Sequence, residues 1–239
     1  MSHYRQQAFL ELEKWQADMQ RPPSITSRVT KSMQSRINQW VPEKVHQVVT
    51  IAIKQMVKAV IFGSNLTTRP KNDQWNFKQT EAKVLKRIKF YRSSAALEGG
   101  ITGAGGFLMG LADFPLWLSL KMKMLFEIAS YYGVDLKDYR ERIYLLHIFQ
   151  LTFSSQQHRN HIYSILSDWE NQKDLLPQDI NQFDWRTFQL EYRDFIDLAK
   201  FFQLIPLIGA AVGAYVNHRL TNRLGTNAMN AYRMRVLEK

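Results

Sequence analysis

Apolar residues along this chain recur at spacings of three and four, which is the period of an amphipathic α-helix. No run of alternating apolar and polar residues is long enough to indicate a strand. We therefore expect an all-α protein. The spacing and the capping residues predict ten helices, at about 2–20, 24–40, 42–64, 77–97, 114–132, 138–153, 156–172, 184–202, 206–223 and 225–237.

The chain is expected to form one helical domain over residues 1–239, because no low-complexity linker or internal repeat divides it. Two polar segments, one beginning at Thr67 and one at 173–184, are predicted loops. A soft boundary near Glu98 separates a first part, 1–98, from a second part, 99–239, that contains a glycine-rich segment.

The glycine-rich segment reads GGITGAGGFLMGLADFPLWLSL and covers residues 99–120. Gly105 and Gly110 have the outer spacing of a phosphate-binding P-loop. That motif needs Lys and then Ser or Thr after its last glycine, whereas Leu111 and Ala112 follow here. A nucleotide-binding loop is therefore not expected.

Helical spacing explains these glycines better. Thr102, Gly106 and Gly110 lie at i, i+4 and i+8, so a helix here would carry a groove of small residues. Gly209 and Gly213 repeat that spacing within IPLIGAAVGAYVN, residues 205–217. We predict a tightly packed central helical hairpin in which the two grooves meet.

The apolar run around this hairpin is interrupted before it is long enough to cross a bilayer. A membrane span needs roughly 20 apolar residues. Asp113 as an N-cap and Pro115 in the first turn predict a helix break that divides the run into two short pieces. Full spanning is not expected, and a buried hairpin and a hairpin inserted part-way into the membrane both remain open.

A narrow polar line runs along the helix after this break, formed by Ser119, Lys123, Glu127 and Ser130. Lys123 and Glu127 are spaced for an i, i+4 ion pair. One interpretation is a core helix with a single polar edge at the surface. The other is a polar line that faces a cavity or a partner.

Charge adds a second feature to this picture. The net charge is +11, and residues 1–98 hold 17 Lys and Arg against 7 Asp and Glu, while residues 99–239 hold 15 against 14. This asymmetry predicts an anionic partner for the first part, with a solvated basic surface as the alternative. The candidate anion-binding residues are Lys54, Lys58, Lys86, Arg87, Lys89 and Arg92.

The anionic partner is expected to be a membrane surface rather than nucleic acid. The segment KRIKFYRSS, residues 86–94, interleaves basic and aromatic residues as nucleic-acid binders do. Such short basic helices are also common in proteins that bind no nucleic acid, and lipid phosphates satisfy the same charges.

Candidate catalytic chemistry is sparse. The chain has no cysteine, which removes disulfides, thiolate nucleophiles and cysteine metal sites. His158 and His161 lie at i, i+3, but no acid or third histidine lies within the same turn, so they are expected to be surface residues. His46 and His147 are expected to be packed or capping residues. We predict no catalytic residues, no metal and no cofactor.

Three segments of the chain together resemble the EcsC family. They are PEKVHQVVTIAIKQMVKAVIFGS from Pro42, LEGGITGAGGFLMGLADFPLWLSLKMKMLFEIASYYG from Leu97, and IPLIGAAVGAYVNHRLTNRLGTNAMNAYRMR from Ile205. The family is bacterial and takes its name from a locus that also encodes the ATPase and membrane subunits of an ABC transporter. The resemblance thus implies a transporter or membrane connection by association, and it carries over no catalytic residues.

These observations predict a non-enzymatic accessory or interaction protein at the cytoplasmic face of the cell membrane, peripheral or partly inserted. Its expected partners are an anionic membrane surface, a membrane protein such as a transporter subunit, or both. The N-terminus has no continuous apolar h-region, which indicates a cytoplasmic start. The alternative is a soluble enzyme or ligand-binding protein with a polar site near Asp113, Lys123 and Glu127.

Overall fold

The computed structural model describes residues 2–22, 43–62, 75–104, 114–194 and 210–238. These ranges contain helices and connecting turns but no strand, which confirms the all-α prediction. The helices are α1 (His3–Gln20), α2 (Glu43–Phe62), α3 (Phe77–Ala104), α4 (Phe114–Tyr131), α5 (Tyr139–Phe153), α6 (Gln156–Ser167), α7 (Trp169–Asp174), α8 (Trp185–Asp194) and α9 (Ala210–Leu237).

Several helix starts in the described ranges follow from local capping chemistry. The Ser2 hydroxyl accepts a hydrogen bond from the Arg5 backbone N–H at the start of α1, and the Asp138 carboxylate accepts one from the Arg140 backbone N–H at the start of α5. Pro115 occupies the second position of α4, where its missing N–H costs no hydrogen bond. The predicted starts of these helices are thus confirmed to within a residue or two.

Three predicted boundaries are wrong, and one predicted helix lies outside the described residues. The segment predicted as one helix over 156–172 is two helices, since Asp168 ends α6 and begins α7. Helix α3 continues to Ala104, beyond the predicted end at 97. The helices predicted over 206–223 and 225–237 are the single helix α9, which runs through Gly225. The predicted helix over 24–40 lies outside the described ranges.

Helix α9 lies at the centre of the described structure and packs against α1, α3, α4, α5 and α6. Helices α4 and α5 are buried over most of their length, including large side chains such as Met124, Tyr144 and Phe149. Helix α2 packs on α4 and α5, and α8 packs on α2. One continuous apolar core therefore connects the two parts of the chain that the charge distribution distinguishes.

The most extensive helix pair is α3 with α9, and the two helices are antiparallel. Three contacts between them define the register, because the residue numbers on α9 fall as those on α3 rise: Glu81 with Arg233, Ile88 with Gly225, and Arg92 with Asn222. Continued along both helices, this register brings position 102 level with positions 211 and 212. The chain thus approaches the predicted glycine hairpin along two helices that are already paired.

At Gly225, α9 lies so close to α3 that there is no room for a side chain. A Cβ atom built on Gly225 would lie 2.6 Å from Cγ1 of Ile88, well inside van der Waals contact. The glycine therefore does not end the helix. It provides the space into which Ile88 packs, and the long helix α9 continues because its neighbours stabilise it.

We predict that Gly225→Val lowers the free energy of unfolding by about 2–3 kcal/mol, because Ile88 must move out of a packed core. Urea denaturation measures this change. Adding Ile88→Ala should recover part of the loss, since the two positions share one space. An unchanged denaturation midpoint for Gly225→Val would contradict the close approach of α3 and α9.

Candidate functional site

The surface formed by α2, α3 and α4 is rich in lysine. Helix α4 lies between the other two, because both α2 and α3 pack against it. We call the exposed lysines of these three helices the lysine face: Lys54, Lys58, Lys78, Lys83, Lys86, Lys89 and Lys123. They are contributed by both parts of the chain, since Lys123 lies beyond the predicted soft boundary.

The amphipathic spacing of α3 explains how the lysines reach the surface. Glu81, Val84, Ile88 and Tyr91 are buried at successive turns. The lysines occupy the opposite side of the helix, where they remain hydrated. The packing that buries one side of α3 therefore presents the other side as a row of positive charges.

Acidic side chains near the lysine face are turned into the protein. Glu81 is fully buried, where the Arg233 guanidinium donates to it at 2.6 and 2.8 Å and the Tyr4 and Tyr132 hydroxyls donate at 2.7 and 3.1 Å. Glu127 is also buried and pairs with Arg87. Among the side chains that the structure describes on α2, α3 and α4, no exposed one is acidic.

Exposed carboxylates occur instead on other elements. In the described ranges they lie on α1, at positions from Asp135 to Asp184 and at the C-terminal end: Glu11, Glu13, Asp135, Asp168, Glu170, Asp174, Asp179, Asp184 and Glu238. Among the described side chains, exposed negative charge is therefore confined to these other elements, whereas the exposed charges of α2, α3 and α4 are all positive.

Large apolar side chains are exposed among the lysines. Ile51 of α2 is 53% exposed, Leu85 and Phe90 of α3 are 47% and 53% exposed, and Leu116 of α4 is 59% exposed. Lysines interleaved with exposed leucine and phenylalanine are typical of protein surfaces that lie against a lipid headgroup region.

The six predicted anion-binding residues divide into two groups. Lys54, Lys58, Lys86 and Lys89 are exposed. Arg87 is partly buried: its Nε donates to the Glu127 carboxylate, and its guanidinium lies 4.6 Å from the ring centre of Phe90. Arg92 donates to the Asn222 side chain at 3.1 Å. Since Arg87 and Arg92 already have partners inside the protein, we leave them out of the lysine face.

The ion pair between Glu127 and Arg87 affects the pKa values of Arg87 and of the neighbouring Tyr91. Hydrogen bonding to Glu127 raises the pKa of Arg87 above its ordinary value, so this guanidinium stays charged. Burial, together with the negative charge of Glu127, raises the pKa of Tyr91 to about 12. The Arg87–Glu127 pair is thus a permanent link between α3 and α4 at physiological pH.

The predicted polar line on α4 is divided between surface and core. Ser119 and Lys123 are exposed, whereas Glu127 and Ser130 are buried. The predicted i, i+4 ion pair is wrong, because Glu127 pairs with Arg87 of α3 rather than with Lys123. The Ser130 hydroxyl donates to the backbone carbonyl of Glu127 at 2.8 Å. A polar site shared by Asp113, Lys123 and Glu127 stays a prediction, since Asp113 lies outside the described residues.

The predicted hairpin is described only at its ends. Thr102 lies on α3 and Gly213 on α9, while Gly106, Gly110 and Gly209 lie outside the described residues. The close packing of these small residues therefore stays a prediction. No helix in the described part of the chain is long and apolar enough to cross a membrane.

Sequence reasoning missed a cavity of about 160 Å³ between α5, α6, α7 and α8. His147, expected to be a packed or capping residue, lines this cavity together with His161, expected to be a surface residue. The i, i+3 spacing of His147 and Gln150 is the one local signal, and these two side chains do contact each other, with 3.1 Å between Nδ1 and Oε1. The other walls include side chains of α6, α7 and α8, which tertiary packing brings against α5.

His147 is neutral at physiological pH. Burial lowers the pKa of its imidazole to about 4, and a nearby charge on His161 acts in the same direction, whereas the hydrogen bond with Gln150 opposes it. A neutral imidazole can donate from one nitrogen and accept at the other.

Comparison with known proteins agrees with the resemblance noted in the sequence. The model of the EcsC protein family matches residues 6–237. The chain is 43% identical over 230 residues to Protein EcsC of Bacillus subtilis (strain 168), covering 96% of this chain and 94% of that protein. It is 26% identical over 255 residues to the protein named Uncharacterized protein YdbA of the same organism, covering 98% and 93%. No solved structure matches.

This chain belongs to the EcsC protein family. The match to the family model covers all the helices that form the lysine face and the cavity at His147.

The depressed pKa of His147 should make the free energy of unfolding depend on pH. Because the unfolded chain takes up this proton near pH 6.5 and the folded chain only near pH 4, acidification between these values favours unfolding. We expect this residue to contribute a loss of roughly 3 kcal/mol by pH 4. Urea denaturation of the wild type and of His147→Gln should show the wild type losing stability more steeply below pH 6.5. Parallel pH profiles would contradict the assignment.

Proposed function

We propose that this protein is a non-enzymatic accessory protein that binds the anionic cytoplasmic face of the cell membrane through the lysine face. The main support for this proposal is that, among the described side chains of α2, α3 and α4, no exposed one is acidic. Four apolar side chains are exposed on the same helices as the lysines: Ile51, Leu85, Phe90 and Leu116.

Two physical effects act together in this binding. Each lysine close to an anionic leaflet contributes about 1 kcal/mol, and the sum depends on ionic strength because the attraction is screened. The exposed leucine, isoleucine and phenylalanine side chains add an apolar contribution that salt does not screen. Attachment is thus peripheral, and it is reversible at high salt.

A membrane protein is the second proposed partner. The locus from which the family takes its name also encodes transporter subunits, which supports a transporter subunit as that partner by association. A protein held against the leaflet by the lysine face would present its remaining surfaces to the cytoplasm, within reach of such a subunit. In this proposal the chain supplies a binding surface and carries out no reaction.

We predict that the triple variant Lys86→Gln, Lys89→Gln, Lys123→Gln binds anionic vesicles about 100-fold more weakly than the wild type, since three lysines are lost from the contact. The matched control is Lys14→Gln, Lys137→Gln, Arg186→Gln, which removes the same charge from exposed positions elsewhere. Co-sedimentation with phosphatidylglycerol-containing vesicles, and with neutral phosphatidylcholine vesicles, measures both.

The control should bind the anionic vesicles within a few-fold of the wild type, and neutral vesicles should bind none of the three proteins strongly. Equal weakening of the two variants would show that net charge alone matters and would contradict a defined lysine face. Wild-type protein that stays in the supernatant with anionic vesicles at low salt would contradict membrane binding itself.

A further inference from the structure

The cavity at His147 has the dimensions and the lining of a small-molecule site. Its walls combine aliphatic and aromatic side chains with the polar side chains of His147, Gln150, His161 and Gln172, and they include no carboxylate, ammonium or guanidinium group. An apolar cavity of roughly 150 Å³ is large enough for benzene. At about 160 Å³, this cavity is suited to a single aromatic ring.

Hydrogen bonds around Gln150 set the orientation of the His147 imidazole. The Gln150 side-chain N–H donates to the backbone carbonyl of Tyr192 at 3.1 Å, so its amide oxygen is the atom that faces His147. That oxygen lies 3.1 Å from Nδ1 of His147 and can only accept, so Nδ1 carries the proton. Nε2 of His147 is then an acceptor, and it has no hydrogen-bond partner in the described part of the chain.

Aromatic side chains hold the imidazole ring in this orientation. Trp169 packs edge-on to His147, with ring centres 6.1 Å apart, and Phe188 does so at 5.9 Å. Both also line the cavity. The ring is thus fixed between two aromatic walls, and a ligand would meet a preorganised acceptor rather than a mobile one.

Access to the cavity does not need a conformational change. His161 lines the cavity and its side chain is exposed, so the cavity is open to solvent at this residue. An ion that entered would lose hydration without meeting an opposite charge, which disfavours charged ligands.

We propose that the cavity is a binding site for a small uncharged aromatic molecule of one ring, whose O–H or N–H group donates to Nε2 of His147. The ring of the ligand packs against the apolar and aromatic lining of the cavity. This site is separate from the lysine face, and its occupation is measured without any membrane.

Phenol is the probe, and fluorobenzene, which has nearly the same shape but no donor, is its matched comparison. Titration of the full-length protein, followed by ¹⁵N NMR of the histidine side chains, should show a saturable shift of Nε2 of His147 with phenol. Phenol should bind at least tenfold more tightly than fluorobenzene, because only phenol satisfies the free acceptor.

Two variants make the test specific. Leu176→Trp adds bulk to a residue that lines the cavity and should abolish phenol binding. Leu175→Trp is the control, since its neighbour Leu175 is 78% exposed and does not line the cavity, and it should bind phenol like the wild type. His147→Phe keeps an aromatic ring and removes the acceptor, so it should bind phenol no better than fluorobenzene.

Three results would overturn the proposal. They are the absence of a saturable shift at His147, equal affinity for phenol and fluorobenzene, and unchanged phenol binding by a folded Leu176→Trp variant. Since Leu176→Trp leaves the imidazole intact, loss of phenol binding in that variant cannot be attributed to a missing His147.

Discussion

The ion pair between Glu81 and Arg233 determines how the two longest helices meet. Glu81 is fully buried and Arg233 nearly so, and removing two such charges from water is costly unless each is fully hydrogen-bonded. Two guanidinium N–H groups and two tyrosine hydroxyls satisfy the Glu81 carboxylate, and Arg233 also contacts Glu11 and Asn230. The pair and its hydrogen-bond partners hold α1, α3, α9 and Tyr132, the residue that follows α4, in one register, because a shift by one turn would leave a buried charge without its partner.

The charged surface depends on this register. With Glu81 turned toward α9 and Glu127 toward Arg87, the acidic groups described on α3 and α4 are neutralised inside the protein. The lysines of the same helices then face solvent without neighbouring carboxylates. A fold in which either carboxylate were exposed would have a mixed surface, and its attraction to an anionic leaflet would be correspondingly weaker.

Helix type and most helix starts could be predicted from the sequence, since capping and apolar spacing are local properties. Ser2, Asp138 and Pro115 act at the positions their chemistry indicates. The break predicted between 223 and 225 was wrong because α3 packs along α9 there, and Ile88, which contacts Gly225, is 137 positions away in the sequence.

The same limit applies to the sites. Charge along the sequence identified Lys54, Lys58, Lys86 and Lys89, but not Lys78 and Lys83. The spacing of Lys123 and Glu127 did not reveal that Arg87 pairs with the Glu127 carboxylate. His147 and His161 belong to different helices, α5 and α6, and only tertiary packing brings them to one cavity. Whether a side chain pairs with a residue of its own helix or with one of a distant helix depends on how the helices pack. Residue spacing along one helix therefore does not predict it.

Fractionation of cells containing the native protein tests whether charge attaches it to the membrane. At low salt we expect the protein to sediment with the membranes, and a wash at high ionic strength should release it because the attraction of the lysine face is screened. Recovery of the protein entirely in the supernatant at low salt would contradict membrane attachment. Retention through both high-salt and carbonate washes would also contradict attachment by charge alone and would point to insertion of the glycine-rich hairpin.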